Sequence, residues 1–154
     1  MTLDVTLEAL RVILEGPGDR ELKARRVAEM IRRSADYRWV GIYDVNADRG
    51  EVSNIAWSGP VAPAHPVFPI TQGLTGEVVA GRKTLNVGDV TQNERYLTTF
   101  GTTRSEIIVP VLDAESHEVV GTIDVESEAV NAFDTNTQTF LEQCALVILD
   151  LWPV

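Results

Sequence analysis

Two alternating segments late in the chain, Ser105 to Leu112 and Glu118 to Ser127, constrain the fold more than anything else in the sequence. They are joined by Asp113-Ala114-Glu115-Ser116-His117, and apolar runs joined by a short polar segment read as an antiparallel hairpin. Side chains alternate along a strand, so Ile107, Val109 and Val111 share one face with Ile123 and Val125 of the partner strand. The opposite face carries Glu106, Ile108 and Pro110 beside Thr122, Asp124 and Glu126. A purely aliphatic row must be covered by other apolar elements. Helices should take that side, which sends three carboxylates together to the other.

The rest of the chain supplies such helices. Leu3, Leu7, Leu10, Ile13 and Leu14 recur at helical spacing from Leu3 to Glu15, and Gly16-Pro17-Gly18 stops the run. Asp19 starts a second helix, to about Ser34, with Leu22, Val27, Met30 and Ile31 on its apolar side. Arg38 to Val45 and Glu51 to Trp57 form a second hairpin, followed by a proline-rich loop ending in an extended piece around Val67 to Ile70. Gly73-Leu74-Thr75-Gly76 opens a short helix, roughly Gly76 to Ala80, with Gly81 as its cap. A short strand, Thr84 to Val87, precedes a long polar loop from Gly88 to Arg104. Asp134 caps the last helix, whose Phe140, Leu141, Cys144, Ala145, Val147, Ile148, Leu151 and Trp152 form a broad apolar stripe. This order predicts a single α+β domain over residues 1–154. It is an antiparallel sheet of about five to six strands, with the N- and C-terminal helices on one face and loops forming a pocket on the other.

Charge and cysteine count narrow the function. The formal net charge is -10, from 23 acidic against 13 basic residues, a field that repels phosphate backbones and anionic membranes. Nucleic acid and membrane are not expected partners. Nothing approaches the roughly 18 apolar residues of a membrane span, and an early segment holding Asp4 and Glu8 lacks the basic start of a leader. A cytoplasmic protein is expected. The single cysteine, Cys144, cannot form an internal disulfide or supply a resolving pair, and its place in the helical stripe marks a packing residue. His65 and His117 fall in predicted loops without a paired ligand, so no metal site is expected. No cofactor is expected either.

Three converging carboxylates raise one another's pKa values when desolvated, unless a cation or a shared proton relieves them. Strand parity puts Trp39 and Tyr43 on the same face, and aromatic walls beside carboxylates suit an ammonium or sulfonium group. The parity argument leaves the alternative open that the acids are solvated or paired with Arg104, with the aromatics as ordinary core. Gly73-x-x-Gly76 either presents backbone N–H groups to an anion or is a structural turn.

Trp39-Val40-Gly41-Ile42-Tyr43, Gly73-Leu74-Thr75-Gly76, Asp89-Val90, Ser105-Glu106-Ile107-Ile108-Val109-Pro110 and Gly121-Thr122-Ile123-Asp124-Val125-Glu126-Ser127 together resemble a GAF domain. Within that superfamily the chain is most similar to the free methionine-(R)-sulfoxide reductases. The resemblance implies that Trp39, Tyr43, Glu106, Asp124 and Glu126 hold an amino acid, with Glu126 where an aspartate is common. The reductase cysteines would fall near His65, at Thr75 and at Thr99; none is a cysteine here, and a threonine hydroxyl cannot reduce a sulfoxide through a sulfenic intermediate. What it implies for function is therefore a noncatalytic sensor or regulatory domain that binds an amino-acid-like or cationic small molecule. Thr99, Arg104 and Ser105 join the candidate ligand contacts. Arg104, at the strand parity of Glu106, would either neutralise the acids or grip a ligand's carboxylate. Two alternatives stand beside this: a diverged reductase-like enzyme acting without cysteine, and a structural dimerisation module. Cyclic-nucleotide and bilin roles lack their signatures. A homodimer through the terminal helices is expected from the stripe between Phe140 and Trp152 and the leucines of the first helix.

Overall fold

Both aspartates read as helix caps do that work in the computed structural model, which describes residues 3–96 and 101–153. The Asp19 carboxylate accepts from the Leu22 N–H at 2.9 Å and that of Asp134 from the Thr137 N–H at 2.8 Å, each satisfying a donor the first turn leaves free. The elements are α1 (Leu3–Glu15), α2 (Arg20–Ser34), β1 (Trp39–Asn46), β2 (Glu51–Ser58), β3 (Val67–Pro69), α3 (Gly73–Gly81), β4 (Leu85–Val87), β5 (Ser105–Leu112), β6 (Val119–Ser127) and α4 (Thr135–Val147). Two 3₁₀ turns, Val90–Gln92 and Ile148–Leu151, complete the order. No helix among the described residues is long and apolar enough to cross a membrane.

The six strands form one antiparallel sheet in the order β3-β2-β1-β6-β5-β4. The aliphatic row is covered as its composition requires. Ile107, Val109, Val111, Ile123 and Val125, joined by Val40 and Ile42 of β1, are buried in one core with Leu10, Val27, Ile31, Phe140, Leu141 and Ile148 of the helices. Cys144 lies in that core, and burial pushes its thiol up to about 12. α3 lies on the opposite face, where Leu74 and Val78 pack against Ile108. The chain's last turn is latched inward: Trp152 donates through Nε1 to Asp44 at 2.8 Å under the Arg20 guanidinium. Gly121 is required there, since a Cβ would collide with the Trp152 ring.

α3 begins three residues earlier than predicted and runs past Ala80 to Gly81, with Arg82 rather than Gly81 in the left-handed cap conformation (φ 56°). Gly73, at φ 69°, makes the earlier start. It adopts a backbone that side chains rarely tolerate and turns the chain from Pro69 into the helix.

Candidate functional site

β6 lies between β1 and β5, so its pocket-facing residues sit in rungs of three: Trp39-Glu126-Glu106, Gly41-Asp124-Ile108 and Tyr43-Thr122-Pro110. The first two rungs bring the acids together. One oxygen from each of Glu106, Asp124 and Glu126 lies within 4.8 Å of the others, and the residues are only 4%, 8% and 0% exposed. This spacing could be bridged by one cation, a metal ion or an ammonium. Among the described residues no ion pair reaches any of the three.

Desolvation is the first consequence. It pushes Glu106 well above the usual carboxylate range, Asp124 up to about 6 and Glu126 up to about 8, with Asp124's charge adding to the rise on both glutamates. A side-chain hydrogen bond joins Glu106 to Asp124, raising the former and lowering the latter. Glu126 Oε1 accepts from Thr103 Oγ1 at 3.0 Å and the Tyr96 hydroxyl at 3.3 Å. Asp124 Oδ1 and Glu126 Oε2 are buried without a partner among the described residues, a costly condition for carboxylate oxygens.

A narrow cavity of about 30 Å³ leads to this cluster. Glu106, Asp124, Tyr43 and Phe68 form part of its wall, and the start of α3 forms another. The Tyr43 ring packs edge-on against Phe68, with centroids 6.0 Å apart. Trp39 and Glu126, both fully buried, stand behind the lining. Trp39 donates to the Val61 carbonyl at 3.1 Å and fastens the loop that carries His65 to the pocket mouth. Gly41 makes room for this arrangement: a Cβ there would collide with the Trp39 and Tyr43 rings.

Two of the sequence-based placements are corrected. Arg104 does not point at the acids. Its side chain is exposed, donates to the Thr103 carbonyl at 3.3 Å and helps hold Asp89 below the usual range. β5 starts only at Ser105, so strand parity does not extend to Arg104, and Thr103 supplies the inward side chain instead. Ser105 also faces away from the pocket, its hydroxyl donating to the Ala129 carbonyl at 2.6 Å. Thr99 lies outside the described residues. His65 is exposed as expected but borders the pocket, and Thr75, named only for the cysteine it replaces, lines it. Thr103, Tyr96, Phe68 and Gln72 were not singled out. Nothing in an aperiodic loop marks a Thr or Tyr that reaches a distant strand, whereas the Gly-Leu-Thr-Gly turn was a usable pointer to Gln72.

A curled antiparallel sheet with helices α1, α2 and α4 on one face and a cavity beneath α3 on the other defines the α+β class. The GAF domain family model matches residues 19–148, and the chain belongs to that family. It is 26% identical over 144 residues to GAF domain-containing protein A of Dictyostelium discoideum, covering 94% of this chain and 87% of that one. It is 27% identical over 117 residues to the free methionine-R-sulfoxide reductase of Saccharomyces cerevisiae, covering 75% of this chain and 63% of the reductase. The free methionine-R-sulfoxide reductase of Neisseria meningitidis, solved with its substrate, superposes with a TM-score of 0.87 at 23% identity over 97% of this chain and 87% of its own.

Proposed function

We propose that this GAF domain is a noncatalytic sensor or regulatory module whose ligand is a small amine-bearing, amino-acid-like molecule. The observation that carries the reading is the triad of buried carboxylates with two unpartnered oxygens and no ion pair among the described residues. A primary ammonium carries three N–H donors, which fit those oxygens better than a donor-free quaternary cation. Tyr43 at the wall and Gly41 beneath it provide an aromatic side for the ligand's carbon chain.

Similarity to free methionine sulfoxide reductases favours a second reading, an enzyme on the same substrate class. Against it, His65 and Thr75 stand at the pocket where the resemblance would place cysteines, and the lone thiol of Cys144 is core-buried. Native mass spectrometry of the purified protein, followed by calorimetry with a panel of free amino acids, tests the first reading. A bound amine, lost on Glu106→Gln/Asp124→Asn substitution, is expected, and binding that survives the double substitution would sink it. Sulfoxide turnover that persists in Cys144→Ala would establish the enzyme reading in its place.

A further inference from the structure

Three polar side chains stand at alternate positions on one face of β6. Thr122, Asp124 and Glu126 are 0%, 8% and 0% exposed, and each holds one oxygen without a partner among the described residues. Repulsion between like charges accounts for the two carboxylates. It does not account for the Thr122 hydroxyl, which is neutral and of a kind that is nearly always hydrogen-bonded when buried. A row of open oxygens along one strand points to a partner that takes lone pairs.

The donor set around this row is all oxygen. Glu106, Asp124 and Glu126 each place one carboxylate oxygen within 4.8 Å of the others, about twice the 2.3–2.6 Å at which Ca²⁺ holds its ligands. A single ion among them can touch all three. Tyr96 and Thr103 both donate to Glu126 Oε1, which fixes the carboxylate and leaves Oε2 open. No thiol or imidazole joins the cluster: Cys144 lies in the core on the other side of the sheet, and His65 is exposed at the cavity mouth. Oxygen donors alone disfavour Zn²⁺ and softer ions. The expectation of no metal rested on the two histidines, which a hard cation does not use. The cavity of about 30 Å³ that reaches Glu106 and Asp124 has room for little beyond one water-sized particle. Mg²⁺ keeps several of its waters, whereas Ca²⁺ takes carboxylates in either one- or two-oxygen fashion, so the larger ion suits these walls better.

We propose that Glu106, Asp124 and Glu126, with Thr122 beside them, form a site for one Ca²⁺-sized divalent cation in the ligand-free protein. The site stands on its own geometry. Its consequence for regulation rests on the amine reading above: ion and ammonium need the same oxygens, so a divalent cation antagonises the ligand.

Calorimetry and thermal unfolding of chelator-treated protein with CaCl₂, MgCl₂ and ZnCl₂, at moderate salt, test the site. A single Ca²⁺ per chain is expected, with a raised thermal midpoint and with Mg²⁺ at least about tenfold weaker. Asp124→Asn/Glu126→Gln preserves side-chain shape and relieves buried charge, so the variant should fold and bind Ca²⁺ at least about tenfold more weakly. Glu106→Gln, on the neighbouring strand, should weaken the ion likewise, and undiminished binding in either variant overturns the site. Many weak sites unaffected by these substitutions, which the net charge of -10 alone would give, also overturn it. The panel of free amino acids is then titrated into the Ca²⁺-loaded protein, and displacement of the ion is expected. Amino-acid binding without Ca²⁺ binding overturns the ion site and leaves the amine reading standing. Ca²⁺ binding that no member of the panel weakens supports the ion site and overturns the amine reading, and binding of neither overturns both.

Discussion

On the helix side of β5 and β6, Ile107, Val109, Ile123 and Val125 are at most 1% exposed, and nothing on them asks for a partner. On the pocket side of the same strands Glu106, Asp124 and Glu126 are at most 8% exposed and leave two carboxylate oxygens unpartnered among the described residues. The burial is nearly the same while its energetic sign is opposite: aliphatic burial drives folding, whereas burial of like charges opposes it. One hairpin thus carries both the stability of the fold and the strain of its site, and the alternation of its residues keeps the two apart. The difference teaches that stability and ligand binding should respond to substitution separately here.

The largest effect tests the apolar face. Ile123→Ala removes a fully buried side chain and should cost about 3 kcal/mol in urea denaturation; a loss below about 1 kcal/mol would mean the core collapses around the gap.

The next concerns pH and the acidic face. Asp124 and Glu126 titrate at about 6 and about 8 in the folded protein, above their unfolded values near about 4. The native state then binds more protons across that window, so the contribution of these acids to the stability of the ligand-free protein should be complete below about pH 4 and be lost progressively as the pH rises through about 8. A Glu106→Gln/Glu126→Gln variant should flatten the slope. A flat profile in the unsubstituted protein would mean that a cation already neutralises the acids. The same sign makes affinity for an ammonium ligand rise over this pH range, as binding expels protons.

A smaller effect sharpens the contrast. Asp124→Asn should raise the ligand-free stability at pH 8 by about 1 kcal/mol while abolishing amine binding. A destabilised variant would place Asp124 among the structural groups.

The smallest change in stability is expected at the surface, where Val12 of α1 is 62% exposed and Leu146 of α4 75%. The proposed homodimer would use this side of the molecule. Light scattering should give a dimeric mass, and Val12→Lys/Leu146→Lys a monomeric one with stability altered by about 0.5 kcal/mol or less; a monomeric unsubstituted protein would remove the proposal. Trp152, which the sequence reading placed within the seam, is instead latched to Asp44 and Arg20.

Much of the site was legible because a strand's period is local. Parity alone placed Glu106, Asp124 and Glu126 on one face with Trp39 and Tyr43, and the observed rungs reproduce that grouping. It failed at Arg104, one residue before β5: the Arg104 N–H still reaches the Ser127 carbonyl at 2.8 Å while its side chain turns to solvent. The family resemblance, not parity, misplaced Ser105: its parity with Ile107 sends it away from the pocket.

The amino-acid sequence by itself determined the helix caps, the hairpins, the two faces of the sheet and the absence of a cysteine at the pocket, since each depends on residue type at short spacing. Only the tertiary structure decided how deeply the acids are buried, which loop groups reach them, and that the start of α3 faces them across the cavity. Those properties belong to contacts between distant segments, such as Thr103 with Glu126 or Arg95 with Thr71. Desolvation, the cause of the raised carboxylate pKa values, arises only when the sheet, α3 and the loops close together.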